Sequence, residues 1–197
     1  MEKKIPFASD VILIDAAFLD RVGGDMAAHF APLVGRELPK ADLAVLLECL
    51  ALDAGLEPGQ HEIQVIFVYD VAHDRMNFCT PSDLEKEIHG MAFQSRLGEF
   101  SLYAFQTSGM ARREDLFCES LQLLMESKDA RRVMLVPDEG EYGCAAAPRF
   151  RQNKKQGSPR NGAISSRCIA NYRPGAGTPR ICSLCSQNWE RKTPVKF

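Results

Sequence analysis

Asp10-Val-Ile-Leu-Ile-Asp15 is the stretch on which the fold turns. Four apolar residues, three of them β-branched, stand between two aspartates. The run is continuous rather than alternating, and too short for a core helix. It predicts a strand buried on both faces, which requires a sheet covered by helices. Outward from it the same signal recurs. Ile63-Gln-Val-Ile-Phe-Val-Tyr69 predicts a second buried strand ending in Asp70, Phe100–Phe105 a third and Val133–Val136 a fourth.

Helical signals separate these runs. Gly23-Gly24 reads as a break, after which Asp25 caps a short helix toward Gly35. Leu43, Leu46, Leu47, Leu50 and Ala54 form one amphipathic stripe, with Gly55 as its C-cap. Thr80-Pro81-Ser82-Asp83 opens a helix expected to run to Arg96, and Arg113–Ser127 reads as another. Strands alternating with helices imply crossover connections, hence an α/β fold with a mostly parallel central sheet.

A chain of 197 residues suits one domain, and its formal net charge of −2 hides a division near Gly143. Residues 1–143 carry 13 Lys+Arg against 25 Asp+Glu, a net of −12; residues 144–197 carry 11 against 1, a net of +10. The expected organisation is an α/β domain over 1–143 and a basic, Gly/Pro/Ser-rich, largely irregular tail over 144–197, with only a weak strand signal from Ile164 to Tyr172. Cys49, Cys79 and Cys118 lie in or beside apolar runs and read as small hydrophobes. The first apolar run is too short for a secretory signal or a membrane span, so the expected setting is the reducing cytoplasm, with no membrane partner.

In an open parallel sheet, ligands bind outside the carboxyl ends of the strands. Asp15 closes the first strand and Asp70 the second, while Asp138, Glu139 and Glu141 follow the fourth. Asp115 and Glu119 are four residues apart on the helix before it, so they share one face. Carboxylates gathered on one rim either repel or share a divalent cation, and oxygen-only ligation favours Mg²⁺ or Mn²⁺. Each acid also has a bland reading. A helix macrodipole accounts for Asp115, and loop acids are commonly just solvated; Asp15 is the hardest to dismiss because it abuts a buried run. There is no Walker loop, dinucleotide fingerprint, HExxH or GxSxG. Cys182-Ser-Leu-Cys185 is a lone CxxC, and a zinc site there would have to recruit Cys168 and Cys144.

Three pieces in order resemble the NYN domains of the PIN-like ribonuclease superfamily. Val11-Ile-Leu-Ile-Asp15 resembles their opening strand and aspartate. Arg112-Arg-Glu-Asp115-Leu-Phe-Cys-Glu119 resembles their basic and acidic helix start, and Met134-Leu-Val-Pro-Asp-Glu139-Gly-Glu141-Tyr142 their late acidic strand end. The likeness spans about Ser9 to Tyr142. It implies a three-layer PIN-like α/β/α sandwich and a metal-dependent endoribonuclease. Asp15, Asp115, Glu119, Glu139 and Glu141 would then be the catalytic and metal-binding residues, holding Mg²⁺ or Mn²⁺ that activates water against an RNA phosphodiester. Arg112 and Arg113, with Lys154 and Lys155 from the tail, would meet the nucleic acid. The sequence also departs from the pattern. Ala16-Ala17 stands where a glycine and a polar residue are usual, Pro137-Asp138 replaces a Ser-Gly pair, and three acidic places hold the longer glutamate. The second expectation is therefore a catalytically degenerate PIN-like module that binds nucleic acid or protein. A homo-oligomer is among the partners considered, with the oligomeric state left open. The tail reads as a cationic arm for nucleic acid, as a segment folding back on the acidic domain, or as an out-of-frame end.

Overall fold

The computed structural model describes residues 6–138. A five-stranded sheet in the order β5-β6-β3-β1-β7 runs through its centre. The strands are β1 (Asp10–Asp15), β3 (His61–Tyr69), β5 (Ala92–Ser95), β6 (Gly98–Gln106) and β7 (Arg132–Val136). β1, β3, β6 and β7 are mutually parallel and β5 alone is antiparallel, at the edge beside β6. β2 (Ala41–Asp42) and β4 (Cys79–Thr80) make a separate two-residue parallel pair. The fold is thus α/β with a mostly parallel central sheet, and β1 lies inside it between β3 and β7, fully buried along its length.

Three helices cover the sheet: α1 (Ala16–Val34), α2 (Leu43–Asp53) and α3 (Arg113–Glu126). Alternation along each strand sends side chains to two separate cores. Ile12, Ile14, Val65, Phe67, Phe100 and Met134 pack with Phe18, Val22, Leu43, Leu47 and Leu50 from α1 and α2. Val11, Leu13, Ile66, Val68, Val133 and Leu135 pack with Phe117, Leu121 and Leu124 from α3. Among the described residues no helix is long and apolar enough to cross a membrane. Cys49, Cys79 and Cys118 are buried free thiols; burial first, then Asp20 and Asp42 against the opposing Lys40, pushes the Cys79 thiol up to about 12.

Two helix expectations are corrected. The Gly23-Gly24 pair does not break the chain: α1 starts at the β1 end with Asp15 as its N-cap and runs unbroken through both glycines. Gly23 is required there because a Cβ would overlap the Phe78 ring. The helix expected from Thr80 to Arg96 is one π-helical turn, Leu84–Ile88, followed by β5. Glu87 turns back to accept the Ser82 and Asp83 backbone N–H groups, and after the turn the backbone pairs with β6, Gly90 N–H donating to Leu102 and Leu102 N–H to Met91. The chain returns from β5 to β6 at Gly98, whose positive φ and close approach to the His61 backbone leave no room for a side chain.

Candidate functional site

Chain order places β3 and β6 on one side of β1 and β7 on the other. In such sheets the crevice lies at the carboxyl ends, where the winding reverses. That rim carries Asp15 from β1, Asp70 just after β3 and Asp138 just after β7.

Asp15 is 0% exposed. Its Oδ1 accepts the Phe18 backbone N–H at 2.9 Å, capping α1, and also accepts Arg113 Nη1 at 2.7 Å. Arg113 is the first residue of α3, with its side chain 11% exposed, and its Nε donates to Asp70 Oδ2 at 2.8 Å. One guanidinium therefore joins the ends of two neighbouring strands. Asp70 caps a short 3-10 turn, Val71–His73: its Oδ1 accepts the Ala72 N–H at 3.0 Å and meets His73 Nδ1 at 2.7 Å. Partial burial works to raise the Asp70 carboxyl, but His73, Arg113 and the Ala72 N–H together outweigh it and hold the group below its ordinary value. Asp138 is fully buried and accepts Arg21 Nη2 at 2.9 Å. Arg21, half-exposed on α1, also lies over the Phe18 ring, 5.4 Å from its centroid.

Three of the five residues expected to form a metal cluster lie among the described residues, and Asp15, Asp115 and Glu119 do not come together as a metal-holding group. Asp115 serves α3 itself: its Oδ2 accepts the Arg112 N–H at 3.2 Å and pairs with Arg112 Nε at 3.6 Å, a capping box on a half-exposed side chain. Glu119 is exposed on α3, outside the arc of Phe117, Cys118, Leu121 and Leu124 that faces the sheet. Glu139 and Glu141 lie outside the described residues, as do Lys154 and Lys155. Arg112 is exposed and pairs with Glu114 at 3.5 Å as well as with Asp115. Arg113, expected to face nucleic acid, points inward to Asp15 and Asp70.

A divalent cation therefore fits these residues poorly. Among the described residues no group of three or more His, Cys, Asp or Glu is arranged to hold one. A cation at Asp15 would have to displace the Arg113 guanidinium. What the arrangement does chemically is compensate charge: three carboxylates, two of them wholly buried, are bonded to two arginines and a histidine. Sequence reasoning identified the acids of the rim but missed Arg21 and His73 and gave Arg113 a different task.

Comparison with known proteins gives a family match. The profile of a family of unknown function, DUF6621, matches residues 4–158. No curated protein and no solved structure matches.

Proposed function

The chain belongs to DUF6621, a family of unknown function, and we propose that it is a catalytically degenerate PIN-like module whose work is to bind another protein. The PIN-like reading, with its three-layer α/β/α arrangement, is supported by the resemblance over Ser9 to Tyr142, by helices on both sheet faces and by acids at the carboxyl ends of β1, β3 and β7. The observation that carries degeneracy is the Arg113 bridge from Asp15 to Asp70. A metal-dependent nuclease needs carboxylate oxygens turned toward a shared cation and the scissile phosphate. Here a guanidinium takes that role, and a fixed positive charge neither deprotonates nor activates water.

Charge favours protein over nucleic acid as the partner of the folded part. Residues 6–138 contain 11 Lys+Arg and 22 Asp+Glu, a net of −11. Such a surface repels a polyphosphate backbone, and the exposed Arg112 is already offset by Glu114 and Asp115.

The test is cleavage of labelled single-stranded RNA by the full chain with and without Mn²⁺, beside Asp15→Asn. The expected result is no metal-dependent cleavage from either protein, and no rise in melting temperature on adding Mn²⁺. Cleavage that needs both Mn²⁺ and Asp15 overturns the reading and restores the nuclease.

A further inference from the structure

The outer edge of β6 is closed in two different ways along its length. β5 pairs with it from Gly98 to Ser101, and the main-chain contact continues one step further, where Gly90 N–H donates to the Leu102 carbonyl and Leu102 N–H to that of Met91. Peptide groups on one edge of a strand recur every second residue, so the next N–H and C=O turned outward belong to Ala104. Among the described residues no strand pairs with them on that side. The His89 ring stands there instead, its Nδ1 3.1 Å from the Ala104 nitrogen and 2.9 Å from the Ala104 oxygen.

Backbone and neighbours hold the ring in place. His89 N–H donates to the Leu84 carbonyl at 2.9 Å, closing the π-helical turn, and Gly90 follows with a φ of 78°. The Tyr103 and Phe105 rings stand nearly perpendicular to the imidazole, at 84° and 82°, with centroids 6.2 and 6.1 Å away. His89 is nevertheless exposed, so solvent protons reach it. The strands set no carboxylate against it, since Ala92–Ser95 and Phe100–Phe105 contain no charged residue. On its own turn, Glu87 accepts the Ser82 and Asp83 N–H groups, Lys86 lies 4.0 Å from Asp83, and Glu85, after burial, raises the Tyr69 hydroxyl.

One imidazole nitrogen carries either a lone pair or a proton. With a lone pair, Nδ1 accepts the Ala104 N–H and makes no bond to the carbonyl beside it. With a proton, it donates to the carbonyl and turns a hydrogen against the N–H. The cation carries protons on both ring nitrogens, so acidification leaves only the second arrangement. We propose that His89 is a proton-operated latch on the edge of β6: the neutral ring holds Ala104 by its N–H, and the protonated ring holds it by its carbonyl and releases the N–H. The turn that carries His89 stays against the sheet in both states. What changes is which peptide group the edge offers to solvent. No residue of the strand-end rim enters this latch, so it and the protein-binding reading stand or fall separately.

The experiment is nuclear magnetic resonance on the isotope-labelled full chain, from about pH 8 to about pH 5, the range in which histidine charge changes. The wild type is compared with His89→Gln, whose side-chain amide offers a separate donor and acceptor and does not titrate. The expected wild-type result is an unprotonated Nδ1 at the upper pH and an Ala104 amide proton that moves upfield with the same midpoint as the His89 ring. The Leu102 amide, bonded to Met91, holds its position as the internal control. In His89→Gln the Ala104 signal holds its position as well. A neutral ring that already carries its proton on Nδ1 overturns the proposal. So does an Ala104 amide that stays still while the ring titrates, or one that moves equally in His89→Gln. The ring and amide signals of the wild type decide the matter by themselves if the variant does not fold.

Discussion

Arg113 joins two strand ends through one guanidinium, and its removal takes from the wholly buried Asp15 its 2.7 Å partner. Removing one member of a buried ion pair costs about 3–5 kcal/mol, because the remaining charge is uncompensated. Asp15→Asn removes the charge itself and keeps an oxygen for the Phe18 N–H, so its expected cost is about 1–3 kcal/mol. Urea denaturation should therefore rank Arg113→Met as clearly more damaging than Asp15→Asn, and the double variant as less damaging than the sum. Strict additivity would show that the pair is not coupled. Asp70 adds a pH dependence. Its carboxyl is held below its ordinary value in the folded protein, so its contribution is complete above the unfolded value, near 4, and fades as pH falls through the lower folded value. Stability measured against pH should lose this part of its acid slope in Asp70→Asn, and an unchanged slope would show that the His73 and Arg113 interactions carry no net stabilisation. The acids themselves were legible, since a carboxylate ending a buried run must be held by something. What holds them was not, because Arg113 and Asp15 are 98 positions apart and Arg21 and Asp138 are 117 apart. No local pattern encodes such pairs.

Among the elements, α1 offers the sharpest contrast, because its adjacent glycines face different surroundings. A Cβ on Gly23 would overlap the Phe78 ring, whereas a Cβ on Gly24 meets nothing within 4 Å. Glycine inside a helix costs about 0.5–1 kcal/mol relative to alanine, so Gly24→Ala should stabilise by about that much. Gly23→Ala gains the same propensity but must move a ring whose backbone N–H is fixed to Asp20 at 3.1 Å, and overpacking of this kind costs about 1–3 kcal/mol. Thermal unfolding of the two variants should shift in opposite directions; a rise for Gly23→Ala would mean that Phe78 moves aside freely. The same pair shows where sequence reading stopped. The buried runs of β1, β3 and β7 and the leucine stripe of α2 were readable because their pattern is set by the environment that each residue enters. The double glycine looked like a break because propensity is local, while the reason for Gly23 is a residue 55 positions away. The segment after Thr80 failed for a related cause: Leu84-Glu-Lys-Glu-Ile88 has good helix formers, but five residues make only one turn. A single turn bears the nucleation cost of a helix with little propagation to offset it, and the residues after it gain more by pairing with β6.

Over the whole molecule, the distribution of charge bears on which partners it admits. Residues 6–138 have a net charge of −11, and residues 144–197 a net of +10. Fields of this kind act over about a Debye length, ~8 Å at physiological salt, so a polyanion responds to the charges nearest to it. If the folded part met RNA through Arg112, neutralising that residue would reduce both affinity and its salt dependence, by about 0.7 in the log–log slope for each phosphate no longer neutralised. Arg112 instead faces two carboxylates of its own helix, at 3.5 and 3.6 Å, which already supply the counter-charge that a phosphate would provide. The expected result is that Arg112→Gln leaves retention of single-stranded RNA unchanged at every salt concentration. Replacing Arg149, Arg151, Lys154 and Lys155 with glutamine should weaken whatever retention the full chain shows and make its salt dependence shallower. A shallower salt dependence in Arg112→Gln would place a nucleic-acid interaction on α3, and the acidic part of the chain would then have to be counted as an RNA-binding surface despite its net charge.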